Sequence, residues 1–214
     1  MPFTLQLNSK APDFNLPGVD GKNYSLASFK NSKLLIIVFS CNHCPFVIGS
    51  EDRMNKLFAD YYPKGVAMAA INSNETEGHP GDSFEHMVQR AKDKNFRFPY
   101  LRDDSQQVAL AYGALRTPHF YVFDQSRNLR YTGRMDDNPR NPGKETTHEL
   151  RDALDDLLAG KTPRVPSPTP SAATSNGKAT SATGCRRRLA IWYSLFPIPR
   201  HAGSQSRRGD RGLG

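Results

Sequence analysis

Residues 34–47 of this 214-residue chain read LLIIVFSCNHCPFV, and this stretch decides the fold. Its first six residues form an apolar run rich in β-branched side chains. The run is too short for a typical helix and predicts a strand that is buried on both faces. Pro45 follows the second cysteine, and apolar residues at helical spacing continue from there to Asp60. We therefore expect the pair Cys41-x-x-Cys44 at the point where a buried strand ends and a helix begins.

A thiol at such a junction is well placed to react. The N-terminus of a helix carries unpaired N–H groups and about half a positive elementary charge, which stabilise a thiolate. Cysteines in this motif can ionise well below the free-thiol pKa of about 8.5. We expect Cys41 to attack a disulfide, Cys44 to resolve the mixed disulfide, and His43 to favour the Cys41 thiolate through its positive charge. Asn42 and Pro45, the other residues of the motif, are expected to border the substrate.

The same motif has two other interpretations, which are half of a zinc site and a pair of inert core cysteines. A structural zinc ion needs four ligands, and the third cysteine, Cys185, lies about 140 residues further on in a different kind of sequence. The position of the motif between a buried strand and a helix favours redox chemistry over both. We therefore expect neither a metal nor a cofactor.

The distribution of charge divides the chain near residue 160. Residues 1–160 contain 19 Lys and Arg against 20 Asp and Glu, whereas residues 161–214 contain ten against one. The second part is rich in Pro, Ser, Thr, Ala and Gly, a composition that buries too little apolar surface to fold. This predicts one domain over residues 1–160 and a disordered basic tail over residues 161–214. Because the net charge of +8 comes from the tail, it does not predict a nucleic-acid partner for the domain.

The number of cysteines and the distribution of apolar residues indicate in which cellular compartment the protein acts. The first residues, MPFTLQL, do not form a basic region followed by an apolar stretch, and no apolar run is long enough to cross a bilayer. Three cysteines, two of them in one motif, fit a reducing compartment better than a disulfide framework. We expect a cytoplasmic monomer without stable membrane association.

The rest of the sequence predicts a mixed sheet with helices on both faces. In such a sheet, chemistry collects beyond the carboxyl ends of the parallel strands, so Asn72 at the end of the second central strand is a candidate site residue. The loop after it, with Asn74, Glu75 and His79, could line the same site, although such residues more often only form turns. The expected elements are a hairpin within residues 11–26, strands at 34–39, 66–71, 120–123 and 129–132, and helices at 46–62, 84–95, 105–112 and 145–159, the second of them capped by Asp82 or Ser83.

A second motif, Thr117-Pro118-His119, precedes the predicted strand at 120–123. A Cys-x-x-Cys after a buried strand, followed about seventy residues later by Thr-Pro before an antiparallel hairpin, resembles the thioredoxin fold. The resemblance implies an α/β fold, a three-layer α/β/α sandwich with a central mixed sheet and an N-terminal β-hairpin extension. It also implies a cis Thr117–Pro118 peptide bond that faces the cysteines and shapes the substrate surface. His119 is then expected within reach of both cysteines.

The segment APDF at residues 11–14 and the string CNHCPFV narrow the resemblance to the redoxin branch. This branch includes the alkyl hydroperoxide reductase/thiol-specific antioxidant proteins and membrane-tethered thiol reductants of bacteria. The similarity covers about residues 4–160 and includes the string YTGRMDD from Tyr131. It implies a thiol–disulfide oxidoreductase that acts on a protein or small-molecule disulfide and is served by a separate reducing partner.

Departures from the family patterns leave alternatives open. Peroxiredoxins carry a Thr three residues before the peroxidatic cysteine, and Cys41 holds that position before Cys44, so peroxide reduction is a weaker alternative. Thioredoxins carry a buried acid on the strand before their motif, and this strand has none. A copper chaperone that uses two thiolates and His119 is a further alternative, although copper carriers of this fold usually separate their cysteines by three residues.

Overall fold

The strand predicted at 34–39 forms the centre of a five-stranded mixed sheet in the computed structural model, which describes residues 4–164. The sheet order is β5-β4-β3-β6-β7, and β1 and β2 form a separate antiparallel hairpin. In the central sheet β3, β4 and β5 are parallel, β6 runs antiparallel to β3, and β7 runs antiparallel to β6. The strands are β1 (Asn15–Pro17), β2 (Asn23–Ser25), β3 (Leu34–Ser40), β4 (Val66–Asn72), β5 (Tyr100–Arg102), β6 (His119–Phe123) and β7 (Leu129–Gly133).

Helices cover the sheet on both faces. Short 3₁₀ turns at Leu26–Phe29, Tyr62–Lys64 and Pro80–Asp82 complete the connections. This arrangement confirms the predicted three-layer fold with an N-terminal hairpin, since the same element order and mixed sheet define the thioredoxin-like class. The α-helices are α1 (Pro45–Ile48), α2 (Glu51–Tyr61), α3 (Phe84–Asp93), α4 (Gln107–Tyr112) and α5 (Glu149–Leu158).

Alternate residues of β3 serve two separate hydrophobic cores, because successive side chains of a strand point to opposite faces. Ile36 and Val38 pack on one face with residues of α2, α3 and α5, and this core also contains both cysteines of the motif. Leu35 and Ile37 pack on the other face with residues of α4 and the N-terminal hairpin. All seven residues of β3 are buried, which confirms the prediction of a strand covered on both sides.

The helix predicted at 46–62 is interrupted at Gly49. A Cβ atom at this residue would lie 2.2 Å from the carbonyl oxygen of Pro139, so only glycine allows the loop to pack this closely. Arg53, in the first turn of α2, donates to the carbonyl oxygen of Gly49 at 3.1 Å and also pairs with Glu145. The break therefore comes from contacts with a distant segment, which helical periodicity does not reveal.

The structure differs from the predicted elements at two further places. The last helix begins at Glu149 and not at residue 145, because the Glu145 carboxylate pairs with Arg53 and accepts from the backbone N–H of Gly143. Strand β5 was not among the predicted strands; it is three residues long and adds to the edge of β4.

The described residues extend slightly beyond the predicted end of the domain at residue 160. Asp156 of α5 accepts from the backbone N–H of Arg164 at 3.0 Å and pairs with its guanidinium at 2.9 Å. The described residues all belong to one compact unit. The prediction of a disordered tail falls almost wholly on residues outside the described range. Between residues 4 and 164, no helix has the length and apolar character that crossing a membrane requires.

Candidate active site

The two cysteines lie just beyond the carboxyl end of β3. Both are free thiols, and they are buried, with 1% of Cys41 and 4% of Cys44 exposed. Their side chains are hydrogen-bonded to each other, and both sulfurs contact Thr117, so the two thiols lie side by side. Helix α1 begins at Pro45, and Cys44 is its N-cap residue. The start of the helix therefore lies at Cys44, three residues later than the thiol expected to benefit from it.

This position separates the acidities of the two thiols. The hydrogen bond from Cys41 lowers the pKa of Cys44 to about 5, and the backbone N–H groups of Val47 and Phe46 also favour its thiolate. The same hydrogen bond raises the pKa of Cys41, and burial and the Asp82 carboxylate raise it further. Because the sulfurs share one proton, the first ionisation belongs to the pair and leaves the negative charge mainly on Cys44. This differs from the expectation from the sequence, in which Cys41 carries the thiolate.

The Thr117–Pro118 peptide bond is cis, as the resemblance implied, and it faces both sulfurs. The Thr117 hydroxyl lies 3.3 Å from the Cys41 sulfur, and the Cys44 thiol donates to the Thr117 carbonyl oxygen at 3.4 Å. Thr117 and Pro118 are half-buried and Pro45 is exposed, so these residues form the rim around the dithiol.

A buried carboxylate supports the motif from behind. Asp82 is fully buried, and one of its oxygens lies 2.5 Å from Nδ1 of His43. The backbone N–H of Asn42 donates to the other oxygen at 2.5 Å, and the side-chain amides of Asn72 and Asn74 donate at 3.2 and 2.9 Å. Burial alone would raise the pKa of Asp82, but these hydrogen bonds more than offset it, so the pKa lies below its usual value. The carboxylate is therefore anionic at neutral pH.

In the sequence, Asp82 is a candidate only for the cap of the helix at 84–95. The structure gives that role to Ser83, whose hydroxyl accepts from the backbone N–H of His86 at 3.4 Å. Asp82 ends the preceding 3₁₀ turn and points instead towards the motif. The sequence does contain one indication of this role. Asp82 and Ser83 are both good helix caps, and a helix needs only one, so the other residue is free for a different function.

The loop after β4 reaches the same place. The ring of His79 stacks on that of His43 with centroids 4.2 Å apart, and His79 pairs with Glu75 at 3.1 Å. Each ring of this histidine pair therefore has its own carboxylate partner, Glu75 for His79 and Asp82 for His43. The side chain of His43 is 35% exposed, so it forms the solvent edge of the site.

The two asparagines predicted as substrate contacts have internal roles. Asn72 is fully buried and donates to Asp82 and to the hydroxyl of Tyr100, so it cannot contact a substrate at the surface. Asn42 donates to the carbonyl oxygen of Gly81 at 2.8 Å and accepts from Tyr100 at 2.9 Å. Both residues hold the motif against the loop that carries Asp82. Tyr100, which sequence reasoning missed, lies on the short edge strand β5.

His119 does not join this site, which corrects the expectation that it reaches the cysteines. It pairs with Phe39 across β3 and β6, and its ring lies against Tyr121 in the core opposite to the cysteines. Its two nitrogens lie 3.1 Å from the Tyr121 hydroxyl and 3.0 Å from the Thr132 hydroxyl. Burial, and the charge of Arg116, lower the pKa of His119 to about 3. This placement removes the ligand on which the copper alternative depends.

The fold and the dithiol beside a cis-proline define a protein of the thioredoxin-like class. Within that class, the profile of the Redoxin family matches residues 6–154, and the chain belongs to this family.

The chain is also similar to individual proteins. The chain is 25% identical over 121 residues to the thiol-disulfide oxidoreductase ResA of Bacillus thuringiensis subsp. konkukian; this match covers 56% of the chain and 65% of the length of ResA. The crystal structure of SMc02350 from Sinorhizobium meliloti 1021 superposes with a TM-score of 0.73 and 39% identity, covering 77% of this chain and 90% of the other. A protein from Geobacillus kaustophilus gives a TM-score of 0.72 and 42% identity, covering 76% and 87%.

Proposed function

We propose that this protein is a thiol–disulfide oxidoreductase in which Cys41 and Cys44 alternate between a dithiol and an intramolecular disulfide. The observation that carries the proposal is the hydrogen-bonded thiol pair facing the Thr117–Pro118 turn, with the pKa of one thiol lowered to about 5. Membership of the Redoxin family and the similarity to a protein named thiol-disulfide oxidoreductase support it.

The proposed first step is attack by Cys41 on a substrate disulfide. As the Cys41 sulfur bonds to one substrate sulfur, its proton passes along the existing hydrogen bond to the Cys44 thiolate. The other substrate sulfur leaves as a thiolate and takes that proton from Cys44. Cys44 is then a thiolate again and is ready for the second step.

In the second step, Cys44 attacks the sulfur of Cys41. The Cys41–Cys44 disulfide forms, and the second substrate thiolate leaves and takes one proton from solvent. His43 lies at the solvent edge of the site, so we assign it the delivery of this proton and the balancing of the thiolate charge. Asp82 acts through His43 and is a positioning residue, since its contact is with Nδ1 of the ring.

Reduction of insulin by dithiothreitol, followed by turbidity, tests the function. We expect the full chain to accelerate the reaction, and both Cys41→Ser and Cys44→Ser to reduce it to the rate of dithiothreitol alone. Cys185→Ser is the matched control, because it removes a thiol outside the motif. Cys44→Ser should also accumulate a mixed disulfide at Cys41. Unchanged turnover in Cys41→Ser would refute the mechanism, and peroxide consumption without insulin reduction would favour the peroxidase alternative.

The partners and the compartment are part of the proposal. The substrate is a protein or small-molecule disulfide, and a separate thiol reductant regenerates the dithiol. We propose a monomer that acts in the cytoplasm, which is supported by cysteine usage suited to a reducing compartment. Light scattering of the purified chain tests the oligomeric state, and thiol trapping in intact cells tests whether the pair is held reduced.

A further inference from the structure

Three different metal-binding groups meet beside the redox motif. One potential ligand atom each from Cys41, His43 and Asp82 lies within 4.8 Å of the other two. Cys44 lies outside this group of three, but its sulfur contacts Thr117, as the Cys41 sulfur does, so it is the candidate for a fourth ligand. Bond lengths of about 2.0–2.3 Å would place the ligands of a tetrahedral zinc ion roughly 3.3–3.8 Å apart. Drawing the ligand atoms of Cys41, His43 and Asp82 around an ion therefore needs movements on the order of 1 Å, and Cys44 would complete the set by moving towards the same point.

The carboxylate is already held in the manner of a metal ligand. Ligating carboxylates are usually fixed by hydrogen bonds from surrounding groups. Asp82 accepts from the backbone N–H of Asn42 and from the amides of Asn72 and Asn74, and none of these donors is itself a zinc ligand. If the 2.5 Å contact with His43 were exchanged for two bonds to an ion, those three donors would still orient the carboxylate. The side chain of His43 is 35% exposed and gives the ion a route from solvent.

We propose that the reduced protein binds one zinc ion between Cys41, Cys44, His43 and Asp82. Two thiolates, an imidazole and a carboxylate are all established zinc ligands, and together they complete a four-coordinate site. The carboxylate argues for zinc over Cu(I), which prefers an all-sulfur set. The sequence argument against zinc looked for further cysteines, whereas the structure supplies the missing ligands from the motif itself and from the 3₁₀ turn before α3.

Zinc and the disulfide exclude each other, which makes the site a redox-controlled one; this consequence rests on the proposed function. A disulfide substrate that oxidises the zinc-bound form takes two electrons from the two thiolates and two protons from water, and becomes two thiols. The Cys41–Cys44 bond forms, and the ion loses two of its four ligands and leaves. Conversely, bound zinc blocks both sulfurs and inhibits exchange until it is removed.

The test uses the full chain with Cys185→Ser, reduced under anaerobic conditions, and zinc alone as the ligand in competition with a chromophoric chelator. We expect one zinc ion per reduced chain and no binding to the oxidised chain. Replacement of a ligand should weaken binding at least about 10-fold, since loss of an outer partner alone costs 10–100-fold. His43→Gln and Asp82→Asn should both show this loss, and His86→Gln, a histidine on α3, should bind as tightly as the parent.

His43→Gln keeps the test valid if Asp82→Asn does not fold, because the side chain of His43 is partly exposed. Absence of binding to the reduced chain, or binding that His43→Gln leaves unchanged, would overturn the proposal, since the latter means that the cysteine pair alone chelates the ion. Insulin reduction measured separately in the presence of a chelator reports on the oxidoreductase alone. Failure of zinc binding and failure of the enzyme are therefore distinguishable.

Discussion

His43 lies within the Cys-x-x-Cys motif, and His119 directly follows the cis-proline Pro118 in the sequence. In the structure the two histidines nevertheless lie on opposite sides of the sheet. His43 stands at the solvent edge against the anionic Asp82, beside Cys41. His119 is buried on the other face, where its two nitrogens contact the hydroxyls of Tyr121 and Thr132. The first histidine is paired with a charge and the second with neutral groups.

The difference shows how the fold confines charge to one end of the sheet. At the carboxyl ends of β3 and β4, main-chain and amide donors stabilise the carboxylate of Asp82, and thiolate character concentrates on Cys44. On the opposite face, burial lowers the pKa of His119 to about 3, so the ring is neutral. The same residue type is therefore paired with a carboxylate near the thiols and is held neutral behind them.

Removing the buried negative charge of Asp82 should have the largest effect on stability. Asp82→Asn places an amide among four hydrogen-bond donors, so we expect the free energy of unfolding to fall by about 3 kcal/mol. Asp104→Asn is the control, because the side chain of Asp104 is 86% exposed and its ion pair with Arg102 should matter little. Urea unfolding measures both, and equal losses would refute the role assigned to Asp82.

The stabilisation that Asp82 provides should also depend on pH. Its pKa in the folded protein lies below the unfolded value of about 3.9. Its contribution to stability is therefore fully present above that value and is lost as the pH falls through the folded pKa.

The buried, neutral ring of His119 should have the second largest effect on stability, and this effect should depend on pH. Its pKa is about 3 when folded and about 6.5 when unfolded, so below pH 6.5 the unfolded chain binds the additional proton. Stability should fall by about 1.4 kcal/mol per pH unit, or about 2 kcal/mol between pH 6.5 and 5. His119→Gln should remove this slope, whereas His86→Gln should keep it. Urea unfolding at several pH values measures the slope, and an unchanged slope in His119→Gln would contradict its burial as a neutral ring.

A third experiment sharpens the assignment of the thiolate. In a Cys185→Ser background, Cys41→Ala removes the S–H group that donates to Cys44, so the pKa of Cys44 should rise from about 5 by about one unit. Cys41→Ser keeps a donor and should keep most of the lowering. Thiolate absorbance against pH follows both variants. The same pKa in Cys41→Ala would show that the start of α1 alone makes Cys44 acidic.

The smallest effect should come from the second ring of the histidine pair. His79→Ala removes the ring stacked 4.2 Å from His43, and we expect a loss of less than about 1 kcal/mol in unfolding free energy. His79→Phe keeps a ring for stacking and should recover most of it. A loss as large as that of Asp82→Asn would mean that the loop, and not the carboxylate, holds the motif.

The sequence reveals the parts of the site that depend on local pattern. The apolar run and the position of Pro45 predict β3 and the start of α1, and the family resemblance supplies the cis Thr117–Pro118 bond. These features depend on side chains near one another in the chain, and the structure has them where they were expected.

The parts that the sequence did not reveal depend on contacts between distant segments. Gly49 breaks the predicted helix because Pro139 packs against it, and Asp82 reaches His43 only because a 3₁₀ turn folds back over the motif. His119 faces away from the cysteines because its register opposite Phe39 fixes its side of the sheet. Proximity in sequence to the cis-proline says nothing about that register.

The central claim is that Cys41 and Cys44 form one reversible two-electron couple, and a redox titration tests it most directly. The protein is equilibrated in dithiothreitol buffers of graded potential, its free thiols are alkylated, and peptides are mapped by mass spectrometry. The account predicts a single two-electron transition in which Cys41 and Cys44 lose their labels together and appear in one linked peptide. Independent labelling of the two residues, or a disulfide that joins either of them to Cys185 instead, would contradict it.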